Sequence, residues 1–132
     1  MILTAYTSLL FSIPAAILRF RPAAVAFGLL SPVSFAVHAI GGRSWKVTET
    51  AAGRALDKLD VCLAYSATVA TTYGVAMAPV CVFTAPYYAC LGTIGVMFFA
   101  FYPKPPACWV GHHAAFHVVA VAGTLFAYKC GV

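Results

Sequence analysis

The sequence predicts an all-α integral membrane bundle of about five transmembrane helices with one short interfacial amphipathic helix. Three observations predict it. Of the 132 residues, 63% are hydrophobic and only 8% are charged, and the mean hydropathy is +0.92; a soluble domain of this size lacks the polar side chains to cover its surface at that composition. The charges are clumped: Arg19 and Arg21 form one island, Arg43 to Asp60 holds seven, and Lys104 and Lys129 stand alone. Between these islands lie long apolar runs punctuated by proline and glycine, so the islands mark where the chain leaves lipid.

The elements follow in order, within one domain spanning residues 1–132. Helix one runs from about Ile2 to Leu18 and ends at Arg19-Phe20-Arg21-Pro22, where charge stops one helix and proline opens the next. It lacks a basic leading region and a small-residue cleavage site, so it reads as a first membrane helix and not as a removable signal. Helix two spans about Pro22 to Ile40 and stops at Gly41-Gly42. From Arg43 to Lys58, Val47, Ala51, Ala55 and Leu59 recur at helical spacing opposite Lys46, Glu49, Arg54 and Asp57, the pattern of a short helix lying in the interface. Leu59 to Tyr102 is too long for one crossing at roughly 20 residues each; Met77-Ala78-Pro79 divides it into helices three and four. Pro103, Pro105 and Pro106 then break the chain, Trp109 fits an interfacial anchor, and helix five runs from about Val110 to Tyr128. Ala89, Gly92 and Gly95 are read as a close-packing face, and Phe98 to Tyr102 as a lipid-facing aromatic belt.

The net charge of +5 has no basic stripe through which to follow a phosphate backbone, so nucleic acid is excluded as a partner. Five scattered cysteines, with no CxxC pair, predict neither disulfides nor a thiolate metal site. An odd number of spans puts the loops around residues 41–58 and Lys104 on one face with five Lys or Arg, against Arg19, Arg21 and Lys129 on the other. The first face, with the N-terminus, is then cytoplasmic or its organellar equivalent. The expected location is a multi-pass protein of an endomembrane or organellar inner membrane.

Ionisable groups inside a membrane are costly, and each is a functional candidate. Ser34 and His38 stand four apart near the end of helix two, Asp60 opens helix three, and His113 and His117 stand four apart at the start of helix five. Each pair shares a helical face. In the five-span topology all three helix ends lie on one side, so the groups meet at one depth. Three neutral imidazoles would bind zinc and leave a fourth position open for water, the catalytic arrangement, and zinc lowers the pKa of that water towards roughly 7. Asp60 would hold the water or orient an imidazole, and Ser34 would hydrogen-bond an oxyanion or a ligand. His112 points about 100° from His113 and reads as a surface or headgroup contact. Asp57 is a substitute for Asp60 that lies further out.

These motifs, Ser34-xxx-His38, Lys58-Leu59-Asp60 and His113-xxx-His117, resemble those of the superfamily of alkaline ceramidases, adiponectin receptors and related PAQR proteins. The stretch RSWKVTETAAGRALDKLD is similar to the adiponectin-receptor segment between the second and third helices. The resemblance implies a membrane hydrolase acting on a lipid amide or related bond, with zinc on His38, His113 and His117 and with Asp60 and Ser34 as catalytic companions. The family has seven helices where this chain has room for five; a degenerate form that keeps only the framework is compatible with the same motifs.

Two other classes fit the sequence. A small accessory subunit of a large organellar membrane complex would bury its helices against other membrane subunits and need no metal; His38 would then be an interfacial histidine bonded to a carbonyl. A b-type haem protein would use His38 with His113 or His117 as axial ligands, leaving Asp60 and Ser34 without a role.

Overall fold

A computed structural model of the chain describes residues 2–40, 50–101 and 109–132. Among the described residues every regular element is helical and no strand occurs. The N-terminal helical run consists of α1 (Ile2–Ser8), a 3₁₀ turn (Leu9–Phe11) and α2 (Ser12–Ile17). Pro14 explains the interruption, because it has no N–H to return to the Leu10 carbonyl and its ring crowds that turn. Next come α3 (Arg21–Ile40), α4 (Ala51–Met77), α5 (Thr84–Phe101) and α6 (Trp109–Lys129).

The boundaries follow local chemistry. Pro22 lies in the first turn of α3, where a missing donor costs nothing. Thr50 caps α4, its hydroxyl accepting from the Gly53 N–H at 3.2 Å. Ala78 closes α4 in an extended conformation, as the residue before Pro79 must. The helix expected as a separate interfacial element is not separate: its described part is the first two turns of α4, since nothing between Gly53 and Met77 breaks the helix. Its apolar stripe of Ala51, Ala55 and Leu59 is exposed, and Leu56, Asp57 and Asp60 turn inward. Residues 43–49, the Pro103–Pro106 break and the proposed Trp109 anchor lie outside the described residues or side chains.

α3 packs chiefly on α4, α5 on α6, and the N-terminal run lies against both α3 and α6, tying the two pairs together. The core cluster is apolar, with Phe11, Phe27, Leu30, Tyr87 and Val121 buried, yet Thr4, Ser8, Ser34 and Thr71 are buried beside it, and Val25, Val69, Tyr73, Val96 and Phe99 are all more than half exposed. Small hydroxyl residues thus line the helix contacts, and Ser8 and Thr71 each return their proton to a carbonyl of the preceding turn. Gly123 belongs to this close packing, since a Cβ there would come within 3.2 Å of Cys90 on α5. Gly92 and Gly95, expected to do the same, have open space beside them.

Of the five crossings expected, one helix, Arg21–Ala39, is by itself long and apolar enough to span a membrane among the described residues; Leu3–Ile17 and Thr84–Phe99 are shorter apolar helices. In α6 three histidines, and in α4 the charged first turns and many hydroxyls, hold the hydropathy down.

A disulfide joins Cys81, in the connection after α4, to Cys130, just past α6, with Cα atoms 5.8 Å apart. The sequence reading expected none. Because α5 and α6 pair antiparallel, the start of one meets the end of the other and brings together cysteines 49 residues apart. The same end is tied by the Arg19 N–H donating to the Val132 carbonyl at 2.8 Å and by the Arg19 guanidinium 5.7 Å over the Tyr128 ring.

Candidate metal centre

The opposite end of the bundle gathers the ionisable residues. His38 is in the last turn of α3, one turn beyond Ser34, and both are buried. Asp60 sits early in α4, where the projecting turns meet the rest of the bundle. His113 and His117 occupy successive turns at the start of α6, with His117 only 2% exposed. The short spacing of each pair puts its members on one face, and packing of the N-terminal run against α3 and α6 closes those faces together.

The three imidazoles converge. Each of His38, His113 and His117 offers a ring nitrogen, and these nitrogens all lie within 4.8 Å of one another. His113 Nε2 is 3.0 Å from His38 Nε2, and the ring centroids are 4.6 Å apart for His38–His113 and for His113–His117, and 5.3 Å for His38–His117. Ser34 hydrogen-bonds the Asp60 carboxyl group through its side chain. Two buried polar atoms are left without a partner, His38 Nδ1 and Asp60 Oδ1. Asp60 lines the same cavity as the three imidazoles but is not among the groups whose ligand atoms converge, so the candidate ligands are the three histidines alone.

These groups line a cavity of about 490 Å³. Its polar end holds the histidines with Asp57 and Asp60, and its body is apolar and aromatic, including Leu30, Ala64, Ile94, Phe98 and Phe116. Three sequence expectations change here. His112 is half-buried and lines this cavity instead of facing outward. Asp57 lines it together with Asp60, and burial pushes its carboxyl above the usual range. Phe98 and Phe99, expected in a lipid-facing belt, both line the cavity; Phe98 meets the Tyr65 ring edge-on at 6.4 Å, and Phe99 is largely exposed at its rim.

Other residues of the centre were not singled out in the sequence. Thr7 of α1 places its Oγ1 3.0 Å from His117 Nδ1, and the Phe11 ring packs edge-on against His117 at 5.0 Å between centroids. Helical spacing carries no information about a helix more than 100 residues away, so no signal would have found them.

Compared with protein-family models, curated proteins and solved structures, the chain matches none. The chemistry of the site therefore rests on its own geometry. Its three imidazole nitrogens could hold a metal ion. It does not suit haem as drawn from the sequence: a porphyrin must slot between its two axial nitrogens, and here His38 and His113 touch while His117 packs against both rings.

Proposed function

We propose that this chain is a multi-pass membrane protein whose His38, His113 and His117 hold a zinc ion for hydrolysis of a lipid amide or related bond. The observation that carries the reading is the convergence of three buried imidazoles, with Asp60 and Ser34 beside them, at the polar end of an otherwise apolar cavity.

The residues present fit zinc. His38, His113 and His117, whose ring nitrogens lie within 4.8 Å of one another, would hold it as three neutral imidazoles. Asp60, whose Oδ1 has no hydrogen-bond partner among the described residues, lines the same cavity and would serve as the proton acceptor. When bound, zinc polarises a carbonyl oxygen and makes water nucleophilic near neutral pH. The chain's own groups do the rest. The Ser34 hydroxyl donates to the Asp60 carboxylate and fixes its direction. Asp60 Oδ1 takes the proton released by the attacking water and returns it to the leaving group. Leu30, Ala64, Ile94 and Phe116 hold an acyl chain and keep bulk water from the polar end. The order and spacing of these motifs resemble the alkaline ceramidase and adiponectin receptor superfamily, which supports the same chemistry.

The membrane reading is supported by what covers the outside: valine, tyrosine and phenylalanine face out on several helices, while serine and threonine share the buried contacts with a hydrophobic core. This is how helices pack when lipid covers their outer surface. Orientation is supported twice. Five of the eight Lys and Arg fall between Arg43 and Lys58 or at Lys104, and the Cys81–Cys130 disulfide, which persists in oxidising compartments, lies at the end of the bundle away from the histidines. The metal centre then opens towards the cytoplasmic side.

Metal analysis of the purified protein is the test. One zinc per chain is expected, and His117→Ala abolishes it. A full zinc complement in that variant, iron with a Soret band, or a metal-free protein purified as a stoichiometric member of a larger assembly would each overturn the proposal.

A further inference from the structure

We propose that Thr7 is a positioning residue of the metal centre: its hydroxyl holds His117 in the tautomer whose Nε2 lone pair is presented to the metal. The inference rests on the metal-binding reading above and adds to it a role for the N-terminal helix.

The geometry is a short relay. Thr7 Oγ1 is 3.0 Å from His117 Nδ1 and 3.1 Å from the Thr4 carbonyl oxygen. A carbonyl only accepts, so the single hydroxyl proton of Thr7 goes to Thr4. What Thr7 then offers His117 is a lone pair, and His117 Nδ1 must carry a proton to use it. A neutral imidazole protonated at Nδ1 has its free lone pair at Nε2. The ring is also held in plane by Phe11, which meets it edge-on at 5.0 Å. His38 is different: its Nδ1 is buried with no partner among the described residues, and its Nε2 faces His113 Nε2 at 3.0 Å, so its tautomer is set by another imidazole and not by a hydroxyl. His117 is thus the pre-oriented ligand of the pair that can be compared, and the group that orients it comes from α1, the part of the chain furthest in sequence from α6.

The test uses the full chain in detergent with Thr7→Val, which keeps the shape and removes the hydroxyl, and Thr7→Ser, which keeps the hydroxyl. Zinc affinity is read by competition with a chelator. Histidine tautomers in the metal-free protein are read by NMR of isotope-labelled histidine. Thr7→Val is expected to weaken zinc binding by roughly 10- to 100-fold and to lose the Nδ1-protonated signal of His117, while Thr7→Ser restores both. Wild-type affinity and an unchanged tautomer in Thr7→Val would overturn the role of Thr7. His117→Ala, measured alongside, separates the two levels: loss of zinc there with no effect of Thr7→Val refutes only this inference. Zinc retained at wild-type affinity in His117→Ala refutes the metal assignment and the role of Thr7 with it.

Discussion

The Cys81–Cys130 bridge permits a prediction whose size follows from chain length. It closes a segment of 49 residues, and for a freely flexible loop of that length the lost chain entropy is worth about 4 kcal/mol. Much of the segment is not free: α5 and α6 account for 18 and 21 of its residues, and helices remain largely formed in detergent or lipid. Counting only the roughly ten residues outside α5 and α6, the same relation gives about 3 kcal/mol. Cys81→Ala and Cys130→Ala should therefore each destabilise the protein by about 3 kcal/mol, and the double variant by no more than either alone, because both remove one shared bond. Reductant should lower the unfolding midpoint of the wild type and leave the variants unmoved. The assay is unfolding in detergent, with and without reductant, alongside maleimide labelling. Cys62, which is exposed, labels at once, and Cys81 and Cys130 label only after reduction. A wild-type midpoint indifferent to reductant, or single-variant effects that add in the double, would refute the reasoning.

Two further predictions concern packing and the cavity. Gly123→Val should force α5 and α6 apart and cost 1–3 kcal/mol, because even a bare Cβ there meets Cys90 at 3.2 Å. Gly92→Ala, with open space beside it, should be neutral or stabilising by up to about 1 kcal/mol through helix propensity; unfolding midpoints compare the two. Ala64→Trp, filling the apolar body of the cavity, should abolish turnover of a long-chain amide while leaving one zinc per chain, measured by substrate hydrolysis and metal analysis on the same preparation.

Much of the fold was legible because hydrophobic runs and prolines are local signals. Pro22 and Pro79 act on the residues beside them, and the bounds they predict lie close to the start of α3 and the end of α4; the glycine pair after Ile40 lies outside the described residues. The convergence of His38, His113 and His117 was legible for a related reason. Spacing of four fixes a face, and an alternating topology fixes an end, so two local facts imply a meeting point. What escaped depends on contacts between distant segments. The disulfide needed the antiparallel pairing of α5 with α6, and the Thr7 contact needed α1 to lie along α6. The interfacial helix was drawn separately because its charges signalled a boundary, yet charge does not stop a helix; only a broken hydrogen-bond ladder does, and none occurs between Gly53 and Met77.

The uninterrupted length of α4 has one more consequence. At 1.5 Å per residue its 27 residues extend about 40 Å, some 10 Å beyond a hydrocarbon core of about 30 Å. Measured back from the disulfide end, Asp60 on α4, His38 on α3 and His113 on α6 all stand at a height of about 25 Å. Under the function proposed above, the bundle would act as a depth gauge, with the histidines and Asp60 set just beneath the layer where acyl chains meet headgroups, and a molecule diffusing in that leaflet would be selected by how high its polar group floats.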